Sequence, residues 1–162
     1  MTLSDFLSVD TIDLDCQATS IKQAFTCVAD KAIQNPRFSN KTLDKADLVT
    51  ALLEREKLGS TAIGEGIALP HAKIAELDAM QMHFVRLANG IDFEALDDQP
   101  VDLICCLFVP LEACMEQKKC LAKVSRILRE PSMQAQLRAA QTPGGLLSAL
   151  STSYDQPAAQ AA

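Results

Sequence analysis

Several things are scarce in this chain of 162 residues, and each scarcity closes a class of function. Positive charge is short: 15 Lys and Arg face 21 Asp and Glu, giving a net charge of −6 and a pI near 4.8. That balance excludes broad attraction to nucleic acid or anionic membrane and is compatible with a basic docking partner. No apolar run approaches the length of a membrane span, and Met1-Thr2-Leu3-Ser4-Asp5 lacks the basic start and apolar core of a signal peptide. The expectation is a cytoplasmic protein without membrane insertion. None of the six cysteines, at positions 16, 27, 105, 106, 114 and 120, stands in a Cys-x-x-Cys pair. Zinc sites usually carry such spacing, so the thiols read as reduced, mostly buried small residues, and neither a metal nor a cofactor is expected. Histidine is rarer still, with His71 and His83 twelve residues apart.

What is present has the pattern of one α/β domain. Thr11-Ile12-Asp13-Leu14-Asp15-Cys16 alternates as a half-buried strand does. From Ser20, Ile21, Ala24, Phe25, Val28 and Ala32 recur at helical spacing behind a capping box of Ser20 and Gln23, and Asn35-Pro36 stops the helix. A second helix is expected from about Thr42 to Lys57, with Leu48, Ala51 and Leu52 inward and Gly59 past its end. Gly64 and Gly66 bracket a tight turn before the apolar Ile67-Ala68-Leu69.

Met80 to Leu87 reads as a strand with Gln81, His83, Val85 and Leu87 on one face and Met82, Phe84 and Arg86 on the other, and Asn89-Gly90 reads as a turn. The unbroken run Leu103-Ile104-Cys105-Cys106-Leu107-Phe108-Val109 fits a central strand covered on both faces. A helix follows with Gln117, Leu121, Val124 and Leu128 inward. Pro131 opens the next helix, Pro143-Gly144-Gly145 ends it, and a short one spans Leu146 to Leu150. The alternation predicts a single domain over residues 1–153, a mixed β-sheet flanked by helices, with a flexible tail over 154–162.

The stretch from Arg55 to Lys73 carries the chemistry. Gly59 and Gly64 have P-loop spacing, but Glu65-Gly66 stands where lysine and a hydroxyl residue belong, and a carboxylate there would repel phosphates. The dinucleotide fingerprint fails at Leu69. A metal site lacks further ligands near His71, and no cysteine has a recognisable nucleophile context. There remains histidine as a nucleophile toward phosphorus or as an acid or base, since a neutral imidazole attacks without first losing a proton. Such chemistry needs cations and hydrogen-bond donors for phosphoryl oxygens, and Arg55, Ser60 and Thr61 supply both kinds if the turn brings them to His71. The plainer readings are that His71 ends a strand and bonds to a neighbour, that Arg55 complements a helix C-terminus, and that His83 is a strand histidine with a local partner.

The run Leu53-x-Arg55-Glu56-x-x-Gly59-Ser60-Thr61-x-x-Gly64-x-Gly66-Ile67-Ala68-Leu69-Pro70-His71-Ala72-Lys73 resembles the active-site segment of enzyme IIA proteins of the fructose/mannitol type in the phosphoenolpyruvate phosphotransferase system. It is most similar to their nitrogen-regulatory branch. The resemblance continues through Ile91-Asp92-Phe93, Asp97-Asp98-Gln99-Pro100-Val101-Asp102-Leu103 and Val109-Pro110 to Leu137-Arg138-Ala139-Ala140, covering roughly residues 5 to 153. It implies a mixed sheet flanked by helices and phosphorylation of His71 by a phosphocarrier protein of the HPr or NPr kind, with Arg55 as cationic partner. It also implies regulated target proteins such as transporters or sensor kinases. The family commonly has a second pocket histidine early in the helix after the buried strand, and Gln117 takes that place here. Gln117 can donate a hydrogen bond but cannot become a cation or shuttle a proton. The alternatives are a sugar-transport IIA component that passes phosphate to a IIB subunit, and a non-phosphorylated protein-binding module.

Overall fold

The computed structural model describes residues 2–36, 43–112 and 115–156. Its centre is the run that the sequence marks as buried on both faces. Strand β6, Val101–Pro110, pairs along one edge with antiparallel β5, Gln81–Ile91. Along the other edge β6 carries two short parallel strands in succession, β3 (Ile67–Ala68) against Leu103 and Ile104 and β4 (His71–Ile74) against Leu107 to Pro110. Strand β2, Ala62–Gly64, pairs antiparallel with β3, and β1, Ile12–Cys16, pairs parallel with β5. The six strands form one mixed sheet, ordered β1-β5-β6-β3-β2, with β4 joined to β6.

Alternation along β6 from Leu103 onward divides the core. Ile104, Cys106 and Phe108, joined by Val101 from beyond the slip in the β5–β6 ladder, face helices α1 (Ile21–Gln34) and α2 (Lys45–Lys57), whose Phe25, Val28, Leu48 and Leu52 are fully buried against them. Leu103, Cys105 and Leu107 face α3 (Met115–Leu128), α4 (Pro131–Ala139) and α5 (Pro143–Tyr154), together with Leu3, Phe6 and Leu7 of the N-terminal turns. The result is a sheet between two helical layers, the expected α/β class.

The ends of the elements follow local chemistry. Ser20 accepts from the Gln23 amide, but the Gln23 side chain reaches the Thr19 amide. Helix α2 starts at Lys45 behind Asp44, whose carboxylate accepts from the Asp47 amide; Thr42, the expected start, lies outside the described residues. Three expectations change. Asn89-Gly90 is not a turn but part of β5, where the ladder to β6 slips between Arg86 and Ile91. Pro143-Gly144-Gly145 does not precede a helix but forms its first turn, because Thr142 caps the Gly145 amide and proline fits a first turn, where its missing N–H costs nothing. Helix α5 also runs on to Tyr154, whose ring packs edge-on to Phe6, while Asp155 accepts the Leu3 amide. Of the expected tail, residues 157–162 lie outside the described residues. Among the described residues, no helix is long and apolar enough to cross a membrane.

Candidate functional site around His71

His71 sits where the edge ladder of β6 is interrupted. Between β3 and β4 the chain passes through Leu69 and Pro70, with the Leu69 amide donating to Thr61 O and Pro70 O accepting from the Leu107 amide. The break turns the Leu69 carbonyl toward the ring that follows, and His71 Nδ1 lies 3.1 Å from that oxygen. A carbonyl only accepts, so the neutral imidazole carries its proton on Nδ1 and presents a lone pair on Nε2. Arg55, in the last turn of α2, points Nε at His71 Nε2 at 3.4 Å. A guanidinium only donates, so the two contacts require the same tautomer. Both side chains are half-buried. Nη1 of Arg55 is tied to Gly59 O at 3.0 Å, which steadies the arginine while its distance to the ring stays long for a hydrogen bond.

The hydroxyls placed near His71 by sequence have other first partners. Ser60 Oγ donates to Phe93 O at 2.6 Å and accepts the Ala62 amide, and Thr61 Oγ1 donates to Glu56 Oε2 at 2.6 Å while its amide bonds Glu56 Oε1. Glu56 therefore clamps the loop that leaves α2, a task that nothing in the sequence pattern assigned to it. Gln117 lies in the first turn of α3, half-buried, and its Oε1 has no hydrogen-bond partner among the described residues. His83 lies elsewhere, buried in β5 with Nε2 on Gln81 Oε1 at 2.9 Å, so it has the local partner expected of it.

The β2–β3 turn before the site is held from two sides. Gly64, Glu65 and Gly66 all have positive φ, at 97°, 58° and 82°. Asp97 accepts the Glu65 amide at 2.7 Å, and that bond, with a second from the Gln99 amide, keeps the Asp97 carboxyl below its usual pKa. Arg138 donates to Glu65 O and forms a two-pronged pair with Asp102. A Cβ on Gly66 would come within 2.7 Å of Arg138 Nη2, so this close approach requires glycine.

A mixed sheet between two helical layers, with a tautomer-fixed histidine facing an arginine at a break in an edge strand, is the class of molecule these observations define. The family model described as "Phosphoenolpyruvate-dependent sugar phosphotransferase system, EIIA 2" matches residues 5–153, and the chain belongs to that family. Its relatives include a nitrogen regulatory protein of Bradyrhizobium diazoefficiens, 35% identical over 150 residues that cover 93% of this chain and 95% of the relative. The crystal structure of the nitrogen regulatory protein IIA-Ntr from Neisseria meningitidis superposes with a TM-score of 0.84 at 29% identity, covering 91% of this chain and 98% of that one. The mannitol IIA protein of Escherichia coli shares the fold, with a TM-score of 0.71 at 20% identity over 89% and 98% of the two chains.

Proposed function

We propose that the protein is a regulatory phosphocarrier that takes a phosphoryl group onto Nε2 of His71 from an HPr- or NPr-like protein and controls partner proteins by its phosphorylation state. The observation that carries this reading is the pair of ring contacts, Nδ1 to Leu69 O and Nε2 to Arg55 Nε. The Nε2 lone pair forms the new bond to phosphorus as the donor's bond to phosphorus breaks. The Nδ1 proton stays in place, and the positive charge gained by the ring is stabilised by the Leu69 carbonyl. Arg55 then turns from the ring nitrogen to a phosphoryl oxygen, a shift that the 3.4 Å contact allows. Gln117, at the place where the family commonly has a second pocket histidine, is the further N–H donor we assign to those oxygens, while Ser60 and Thr61 hold the loop through Phe93 and Glu56.

The test is phosphorylation of the intact protein by phosphoenolpyruvate, enzyme I and the phosphocarrier. One acid-labile phosphoryl group is expected, and none on His71→Ala. No mass gain by the wild type would instead support a binding module that works through surface contacts alone. Because the family model's description names a sugar phosphotransferase system, a second reading is a IIA component that hands its phosphoryl group to a IIB partner. Label moving from His71 to a IIB cysteine would favour that reading, and label retained on His71 favours regulation.

A further inference from the structure

Four of the five described cysteines are buried, as the sequence leads one to expect, and Cys27 is the exception. Cys16 ends β1, at the edge of the sheet, and Cys27 lies on α1, partly buried against the apolar layer to which Cys16 belongs. Cys27 is near enough to act on the Cys16 thiol, so the two sulfurs are neighbours within that layer. Cys27 also lines an open cleft of about 550 Å³ together with Gln17, Ala18, Ser20, Lys22 and Gln23. One thiol thus lines an open cleft that Lys22 also lines, and a second is buried as its neighbour.

We propose that Cys16 and Cys27 are a thiol–disulfide modification site that takes a low-molecular-weight disulfide in the Cys27 cleft and closes to a Cys16–Cys27 disulfide. The Cys27 thiolate attacks one sulfur of the small disulfide, forming a mixed disulfide and releasing one small thiolate. Cys16 then attacks the Cys27 sulfur, its proton leaves with the second small thiol, and the protein disulfide forms. Two protein thiols are oxidised and one small disulfide is reduced to two thiols. Burial, the nearby Cys27 and Asp13 push the Cys16 thiol up to about 11 despite a bond from the Ala18 backbone, so closure is the slow step and the mixed disulfide appears first. His71 lies on the other side of β6 from β1 and β5, so this chemistry leaves the phosphoryl site alone.

Oxidised glutathione is the probe, applied to the full chain under native, mildly alkaline conditions and followed by intact mass and peptide mapping. Cleavage after Lys22 separates residues 1–22, holding Cys16, from residues 23–31, holding Cys27. In the wild type, a transient glutathionyl adduct on Cys27 is expected to give way to a link between these two peptides. Cys16→Ala is expected to stop at one stable adduct on Cys27, and Cys27→Ser to show neither adduct nor link. Circular dichroism of each variant before treatment checks its fold, and the wild-type result decides by itself if a variant is misfolded. A wild type that stays unmodified, that keeps a stable adduct on Cys27, or that links Cys27 to a cysteine other than Cys16 would overturn the proposal.

Discussion

Arg55 has two partners that would each justify a cation: the carbonyl of Gly59 at the end of its helix and the lone pair of His71. Kinetics can tell which matters. If Arg55 balances phosphoryl charge, Arg55→Ala removes one charge-assisted contact in the transition state, worth about 2 kcal/mol, and slows phosphorylation of His71 by well over tenfold. A thermal melt should move little, because a half-exposed helix-end cation contributes only about 0.3–1 kcal/mol. An unchanged rate with a lowered melting temperature would return Arg55 to a capping role. His71 and Arg55 were legible in sequence because residue type and motif spacing name them. The Leu69 carbonyl was not, since every residue has one and only the break between the β3 and β4 ladders turns this one to the ring. The Ser60 bond to Phe93 spans 33 residues, a separation that local spacing does not encode.

Among the elements, helices were read more surely than short strands. Helix α1 shows its period, its cap and its stop in a single stretch, and residues Ile21–Gln34 form it. Strands β2 and β4 have three and four residues, too few to show alternation, and exist because β3 and β6 pair with them. Arg86 illustrates the same limit. Its face on β5 was legible, shared with Met82 and Phe84, but not its purpose. Its Nη1 donates to the carbonyls of Leu137, Arg138 and Ala140, at 3.1, 3.1 and 2.7 Å, and its Nε donates to Leu14 O. Those carbonyls close the C-terminus of α4, where four acceptors lose their intrahelical partners. Arg86→Met keeps the bulk and removes every donor. Urea unfolding should then show a loss of about 1–3 kcal/mol, the range for breaking a partly buried network of charge-assisted bonds. Denaturation within 0.5 kcal/mol of wild type would mean that solvent satisfies these carbonyls equally well.

At the scale of the whole molecule, the two-layer core follows from β6, because a strand with no polar face must be covered twice. The pattern put Gln81 and His83 on one face of β5 but could not predict that the pair is fully buried inside one layer. His83 and Gln81 are each 1% exposed, and His83 Nδ1 and Gln81 Nε2 have no hydrogen-bond partners among the described residues. The His83 and Phe108 rings form a T-shaped pair, 5.7 Å between centroids. Burial, with the nearby positive charge of Lys31, lowers the His83 pKa from 6.5 to about 3. The unfolded chain therefore binds a proton that the folded chain refuses between those values. Stability rises with pH across this window and is lost as pH falls below 6.5, at up to about 1.4 kcal/mol per unit. Carboxylates add their own acid limb, so the measurement is a comparison. Unfolding free energies of wild type and His83→Leu are taken at about pH 7 and pH 4.5, and the wild type should lose about 2–3 kcal/mol more than the variant over that interval. Parallel acid limbs would show that the folded protein accepts the proton, by opening the contact with Gln81 or admitting water to Nδ1. The core layer under α1 would then be softer than its packing implies.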